Sequence, residues 1–190
     1  MAKSNPFEGM SKTEGKSDGA WLARGSSISQ ITNFEFREGQ RDAAWIVKVE
    51  GTIYANTVVY RHAATPQKDT NAEGTSFLVL YQLQGDPKKD SPKLGEIRQF
   101  IAAVTGKTMV EVDDEFAFKF AQLVGETSWA EAVDAMGGTS VIEVSGVVSY
   151  SKDRSKEYVN ARYTRNDEKI AKILEAGDSF EPTVIEVAGI

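Results

Sequence analysis

Residues Ser76–Gly106 read SFLVLYQLQGDPKKDSPKLGEIRQFIAAVTG, and the chain changes its period within them. The first part holds the nearly continuous apolar run Phe77-Leu78-Val79-Leu80-Tyr81, which predicts a strand buried on both faces. Gln84 to Pro92 is polar, carries two prolines and predicts a loop. Leu94, Ile97, Phe100, Ile101 and Val104 then recur at helical spacing, the stripe of an amphipathic helix, with Gly106 placed to stop it.

On the N-terminal side, strand patterns precede this switch. Trp21–Arg24 leads into Ile28–Phe36, and Arg37–Asp42 supplies a turn. Ala44–Glu50 alternates, with Trp45, Val47 and Val49 on one face, so both Trp21 and Trp45 are expected in the core. Gly51 permits a bend or bulge before Thr52–Arg61. A loop, residues 62–75, follows. On the C-terminal side, Asp113-Asp114-Glu115 opens a second helix and Ser128-Trp129-Ala130-Glu131 matches a capping box for a third, stopped at Gly137-Gly138. Strands return at Val141–Tyr150 and Glu157–Thr164 around a hairpin loop. Asn166 is placed to cap a last helix ending at Gly177.

Strands, a helical insert and a two-stranded hairpin make a β-rich α+β order. A five-stranded Greek-key barrel of the OB type carries its helix between its third and fourth strands, and this order fits it. A β-sandwich or jelly roll is the competing architecture. The domain reading is a flexible arm over residues 1–20, one OB-like domain over 21–176 with its insert at about 92–137, and an acidic-apolar tail over 177–190.

The chain has 190 residues, 41% of them apolar and 26% charged, enough for one buried core. It has no cysteine, which excludes disulfides and thiolate metal sites and fits a cytoplasmic setting. No apolar run approaches a membrane span. Net charge is −6, at first hostile to nucleic acid, but the acid is unevenly placed. Residues 111–134 hold seven acids and one Lys, and residues 173–190 hold four acids and no base. Residues 151–172 hold seven Lys/Arg against four acids.

Convergent catalytic chemistry is missing from the pattern. The single histidine, His62, stands at a strand end, and no phosphate-binding glycine loop is present. Asp113, Asp114 and Glu115 are the oxygen ligands a metal-dependent nuclease would draw on, but they also read as the first turn of a helix. The expectation is a binding protein, not an enzyme, with no cofactor and no metal.

Single-strand binders combine cations for phosphate with exposed rings for base stacking. The strand Glu157–Thr164 places Tyr158, Asn160, Arg162 and Thr164 on one face, too polar for core, beside a loop with Lys152, Arg154 and Lys156. These residues, with Arg165, form the first candidate patch. Arg37 and Arg41 in the first turn, and Tyr54, Tyr60 and Arg61 on an earlier strand, are further candidates.

Gly74-Thr75-Ser76-Phe77 through Leu83, the proline-containing loop, and Leu94-Gly95-Glu96-Ile97 through Gly106 resemble small bacteriophage proteins of replication and recombination modules. Those proteins are OB-fold single-stranded-DNA-binding proteins. The resemblance covers roughly residues 21–165 and implies single-stranded DNA as partner, in the host-cell cytoplasm. A homo-oligomer is a further partner expectation. The tail is similar to those of single-stranded-DNA-binding proteins that dock replication or recombination enzymes. It departs from the bacterial form in ending on Ala188-Gly189-Ile190 instead of an Asp-rich, Phe-terminated peptide. The alternative reading is a virion structural protein, a capsid decoration or tail component.

Overall fold

The computed structural model describes residues 19–39, 43–66 and 69–188. Their elements are β1 (Gly19–Trp21), β2 (Gly25–Glu38), β3 (Trp45–His62), β4 (Ser76–Leu83), α1 (Pro87–Thr105), α2 (Asp114–Glu126), α3 (Trp129–Ala135), β5 (Val141–Tyr150), β6 (Glu157–Thr164), α4 (Asp167–Ala176) and β7 (Thr183–Val187). The protein is thus β-rich α+β, with a helical insert between β4 and β5. The expected N-terminal arm lies outside the described residues except for Gly19 and Ala20, which belong to β1.

One mixed sheet runs β1-β4-β3-β2-β5-β6, with β7 added to β3. The central strand is β2, paired antiparallel with β3 along its length and with β5 over Gly25–Gln30. Thr32, Tyr54 and Thr57 have no partner in the β2–β3 register and bend the pair. The Thr32 bulge falls beside Gly51, where the sequence signalled a bend or bulge. A Cβ at Gly51 would lie 2.7 Å from the Phe77 ring, so the bare backbone also lets that ring approach.

The sheet does not close. A ladder between β4 and β6 would complete a barrel, and none forms among the described residues. Helix α1 fills that seam with its apolar stripe. Its Glu96 Oε2 accepts from the Ala161 N–H (3.3 Å) and its Gln99 Oε1 from the Tyr163 N–H (3.2 Å). Two amides of β6 therefore bond to helix side chains where a neighbouring strand would supply carbonyls. The closed barrel expected from the element order is an open seven-stranded sheet.

Ile97, Phe100, Ile101 and Val104 of α1 are buried against Ile31, Phe34, Val49, Phe77 and Val144. Phe34 stacks on Phe100 with centroids 5.3 Å apart. Helix α4 packs on the opposite face of the sheet, where Ile170 and Ile173 cover Ile28 together with Ala55 and Val141. Strand β5 shows both faces: Ile142 and Val144 enter the main core, while Val141 and Glu143 look to α4.

Three expectations change. Strand β4 is buried on one face only; Phe77, Tyr81 and Leu83 enter the core, while Leu78 and Leu80 are only half-buried, as on a one-sided antiparallel sheet. Trp21 and Trp45 are 63% and 38% exposed; each sits at a strand end, and Trp45 stacks on the equally exposed Phe36. Most of the predicted 84–92 loop is helix, because α1 begins at Pro87. Asp86 caps it by accepting from the Lys88 N–H, and Pro87 takes a first-turn position that needs no N–H. The buried Asp90 carboxylate then accepts from the N–H groups of Gln84, Gly85 and Asp86 at 2.9–3.2 Å and anchors the turn. The other helix starts follow their signals: Asp113 accepts from Phe116 N–H, Ser128 and Glu131 form the capping box, and Asn166 accepts from Lys169 N–H. The tail, after a short turn, becomes β7, parallel to β3.

Candidate nucleic-acid interface

Beyond Gly146, strand β5 leaves β2 and runs on with β6 alone. The pairs from Val147↔Asn160 to Tyr150↔Glu157 form a two-stranded arm with residues 151–156 at its tip. Successive pairs point to opposite faces, so Tyr158 and Tyr150 stand on opposite sides of the arm, 50% and 57% exposed. Asp153 builds the tip. Its carboxylate accepts from the hydroxyls of Ser151 and Ser155 and from the Ser155 N–H (3.1 Å). These bonds hold its carboxyl down to about 2. Arg154 takes a left-handed conformation (φ 57°) to complete the turn.

With Asp153 committed to the tip, the side chains of Lys152, Arg154 and Lys156 make no ion pair among the described residues, and all three are exposed. The other candidate bases differ. Arg37 pairs with Glu35 (2.8 Å), Arg61 faces Glu186 of β7 (3.9 Å), and Arg165 donates from Nε to both oxygens of Asp167 (2.9 and 3.0 Å). Arg165 also stands at the opposite end of β6 from the arm. Arg41 lies outside the described residues. Arg37 sits at the far end of β2 from the arm, roughly 40 Å along the strand. The Tyr54 side chain, at a bulge, donates to Gln30 Oε1.

The sheet does bring three candidates together. The register aligns Arg162, Ser145, Ser26, Val58 and Thr183 in one row across β6, β5, β2, β3 and β7. Ser26 Oγ donates to Ser145 Oγ at 2.7 Å within that row. This is the face on which α4 packs. One row further out stand Asn160 on β6 and Tyr60 on β3, then Tyr158. The Tyr60 ring lies beneath the Arg24 guanidinium, 3.9 Å from its centroid, a cation–π contact. The backbone register thus gives Tyr60, Tyr158 and Arg162 one face and one end of the sheet, while the Arg162 side chain, on the edge strand, also borders a cavity with Ser91, Gly95, Glu96 and Gln99 of α1, where its charge acts on the Glu96 carboxyl.

Several residues here escaped the sequence reading. Arg24 carried no signal, since its contact is made only when β3 returns beside it. Tyr150 was legible as the ring next to the loop. Lys169 and Lys172 were legible as cations at helical spacing, but not as neighbours of this face. Elsewhere, Glu115 pairs with Lys119, and His62 Nδ1 lies 3.4 Å from Asp69 Oδ1. Among the described residues, no group of three or more His, Cys, Asp and Glu is placed to hold a metal, and no helix is long and apolar enough to cross a membrane.

In comparisons with known proteins, no family model matches this chain and no curated protein matches it.

Proposed function

We propose that the protein binds single-stranded nucleic acid, with DNA as the expected ligand, through the β5–β6 arm and the adjoining α4 face. One observation carries this reading: the arm presents three exposed cations that form no ion pair among the described residues, beside two exposed tyrosine rings. Cations answer phosphate charge, and rings stack on bases whatever their sequence. Such a role requires no catalytic group and no cofactor.

The strand order supports an OB-like reading of the domain. With β2 to β6 as the five strands, the helical insert falls between the third and fourth, and α1 sits at the seam between third and fifth. A role in phage replication or recombination, in the host-cell cytoplasm, rests on the resemblance of residues 21–165. A replication or recombination enzyme docking on the tail would meet the outer side of β7.

Fluorescence anisotropy with a labelled oligo-dT at two salt concentrations tests the reading. Binding is expected at low salt and weakens as salt rises. No binding at low salt overturns it, and ordered oligomers without DNA affinity would favour a virion structural role. Combined substitution of Arg154, Lys156, Tyr158 and Arg162 by Ala is expected to weaken binding; an unchanged affinity moves the site elsewhere.

A further inference from the structure

The cross-strand row that begins at Arg162 ends in a cavity. Between α4 and the β3–β7 pair lies a space of about 620 Å³, whose walls include Val58, Thr183, Phe180, Lys169 and Lys172. Its volume is that of an ordinary small-ligand site. Four strand spacings separate it from Arg162, about 19 Å, a distance a few nucleotides cover.

The two lysines are not equivalent. Lys169 bonds to Glu143, whose side chain is only 13% exposed and needs that cation. Lys172 pairs with Glu168 at 2.7 Å, one helical turn away, and both side chains are over 70% exposed. A pair of that kind contributes little, so the Lys172 ammonium can leave Glu168 for a phosphate at small cost. Opposite it, Phe180 joins the small cluster under α4 yet stays half-exposed, and with Val58 it offers an apolar wall.

We infer that this cavity holds one nucleotide of the bound strand, its base against Phe180 and Val58 and its phosphate on Lys172. The inference rests on the single-strand reading above. It adds a site that the arm does not supply, and it gives the bound strand a path across the sheet instead of a contact at the arm alone.

The test compares Lys172→Gln with Lys119→Gln in oligo-dT titrations over a salt series. Lys119 of α2 forms the same kind of exposed pair one turn from Glu115, so both variants change charge equally. Loss of one phosphate contact lowers the slope of log K against log salt by about 0.7 for a single strand. That fall is expected for Lys172→Gln and not for Lys119→Gln. Phe180→Leu, which keeps an apolar group in the cluster, is expected to weaken binding roughly tenfold at an unchanged slope. Wild-type binding with no slope change in Lys172→Gln, or with the same change in both Lys variants, overturns the nucleotide site and leaves the arm standing. Absence of wild-type binding overturns the site together with the reading it rests on.

Discussion

The hydroxyls of Tyr81 on β4 and Tyr163 on β6 meet at 3.0 Å across the seam where the sheet stays open. Burial pushes both phenols up, so both remain protonated. One hydroxyl donates to the other, and either can take that part. Tyr163→Phe and Tyr81→Phe each leave one buried hydroxyl without this partner, and each is expected to cost about 1–3 kcal/mol in urea unfolding. An unchanged stability in both variants would show that the bond does not hold the seam.

The Glu96 carboxyl beside this pair carries a pH dependence. Burial is the largest influence on Glu96 and holds its carboxyl above the ordinary 4.5, against the opposing bonds from Tyr81 and Ala161 and the charge of Arg162. An acid whose folded pKa is raised favours the fold fully below its unfolded value. That contribution is lost as pH rises through the folded value. Wild-type stability is therefore expected to fall from pH 4.5 upward across this window relative to Glu96→Gln, which keeps an acceptor for the Ala161 N–H. Parallel stability curves for the two proteins would rule the coupling out.

Asp90 is the internal anchor of the β4–α1 turn. Asp90→Ala would leave the N–H groups of Gln84, Gly85 and Asp86 without their acceptor. A loss of about 3 kcal/mol is expected in chemical denaturation, together with early amide exchange at residues 84–86. Retained protection at those amides would show that the turn holds itself.

The bonds that Asp153 accepts at the arm tip favour its charged form. A depressed acid supports the local structure above its unfolded pKa and loses that support as pH falls through the folded one. The Ser155 amide resonance is therefore expected to titrate with a midpoint of about 2, and the Asp153→Asn protein to lack that step. An ordinary carboxylate midpoint near 3.8 would mean the tip is not held by Asp153.

On the arm itself, Tyr158→Ala is expected to weaken oligo-dT binding by about 1–3 kcal/mol without altering the salt slope. Lys152→Gln with Lys156→Gln is expected to lower the slope by about 1.4, two single-strand phosphates. The reverse pattern would assign the ring to folding and the cations to nothing specific.

Local signals determined much of this protein. The helix starts at Asp113, Ser128 and Asn166 were readable because a cap acts within three residues of itself. The polar face of β6 was readable because strand alternation needs no partner: Ala161 and Tyr163 are buried while Tyr158, Arg162 and Thr164 are exposed. The start of α1 was hidden because two prolines look like a loop until Asp90 folds back on the turn. Trp21 and Trp45 looked like core because alternation cannot tell the middle of a strand from an end that nothing covers. Closure of the sheet was a tertiary matter: whether β4 meets β6 depends on how much of the seam α1 fills, and no local pattern encodes that volume. The candidate site divides the same way. Its cations could be counted along the chain, but which of them keep an acid beside them was decided when β7 brought Glu186 to Arg61 and the hairpin tip claimed Asp153. Charge pairing at distance is set by the folded path of the backbone, and that path carries Lys152, Arg154 and Lys156 beyond β2, where they form no ion pair among the described residues.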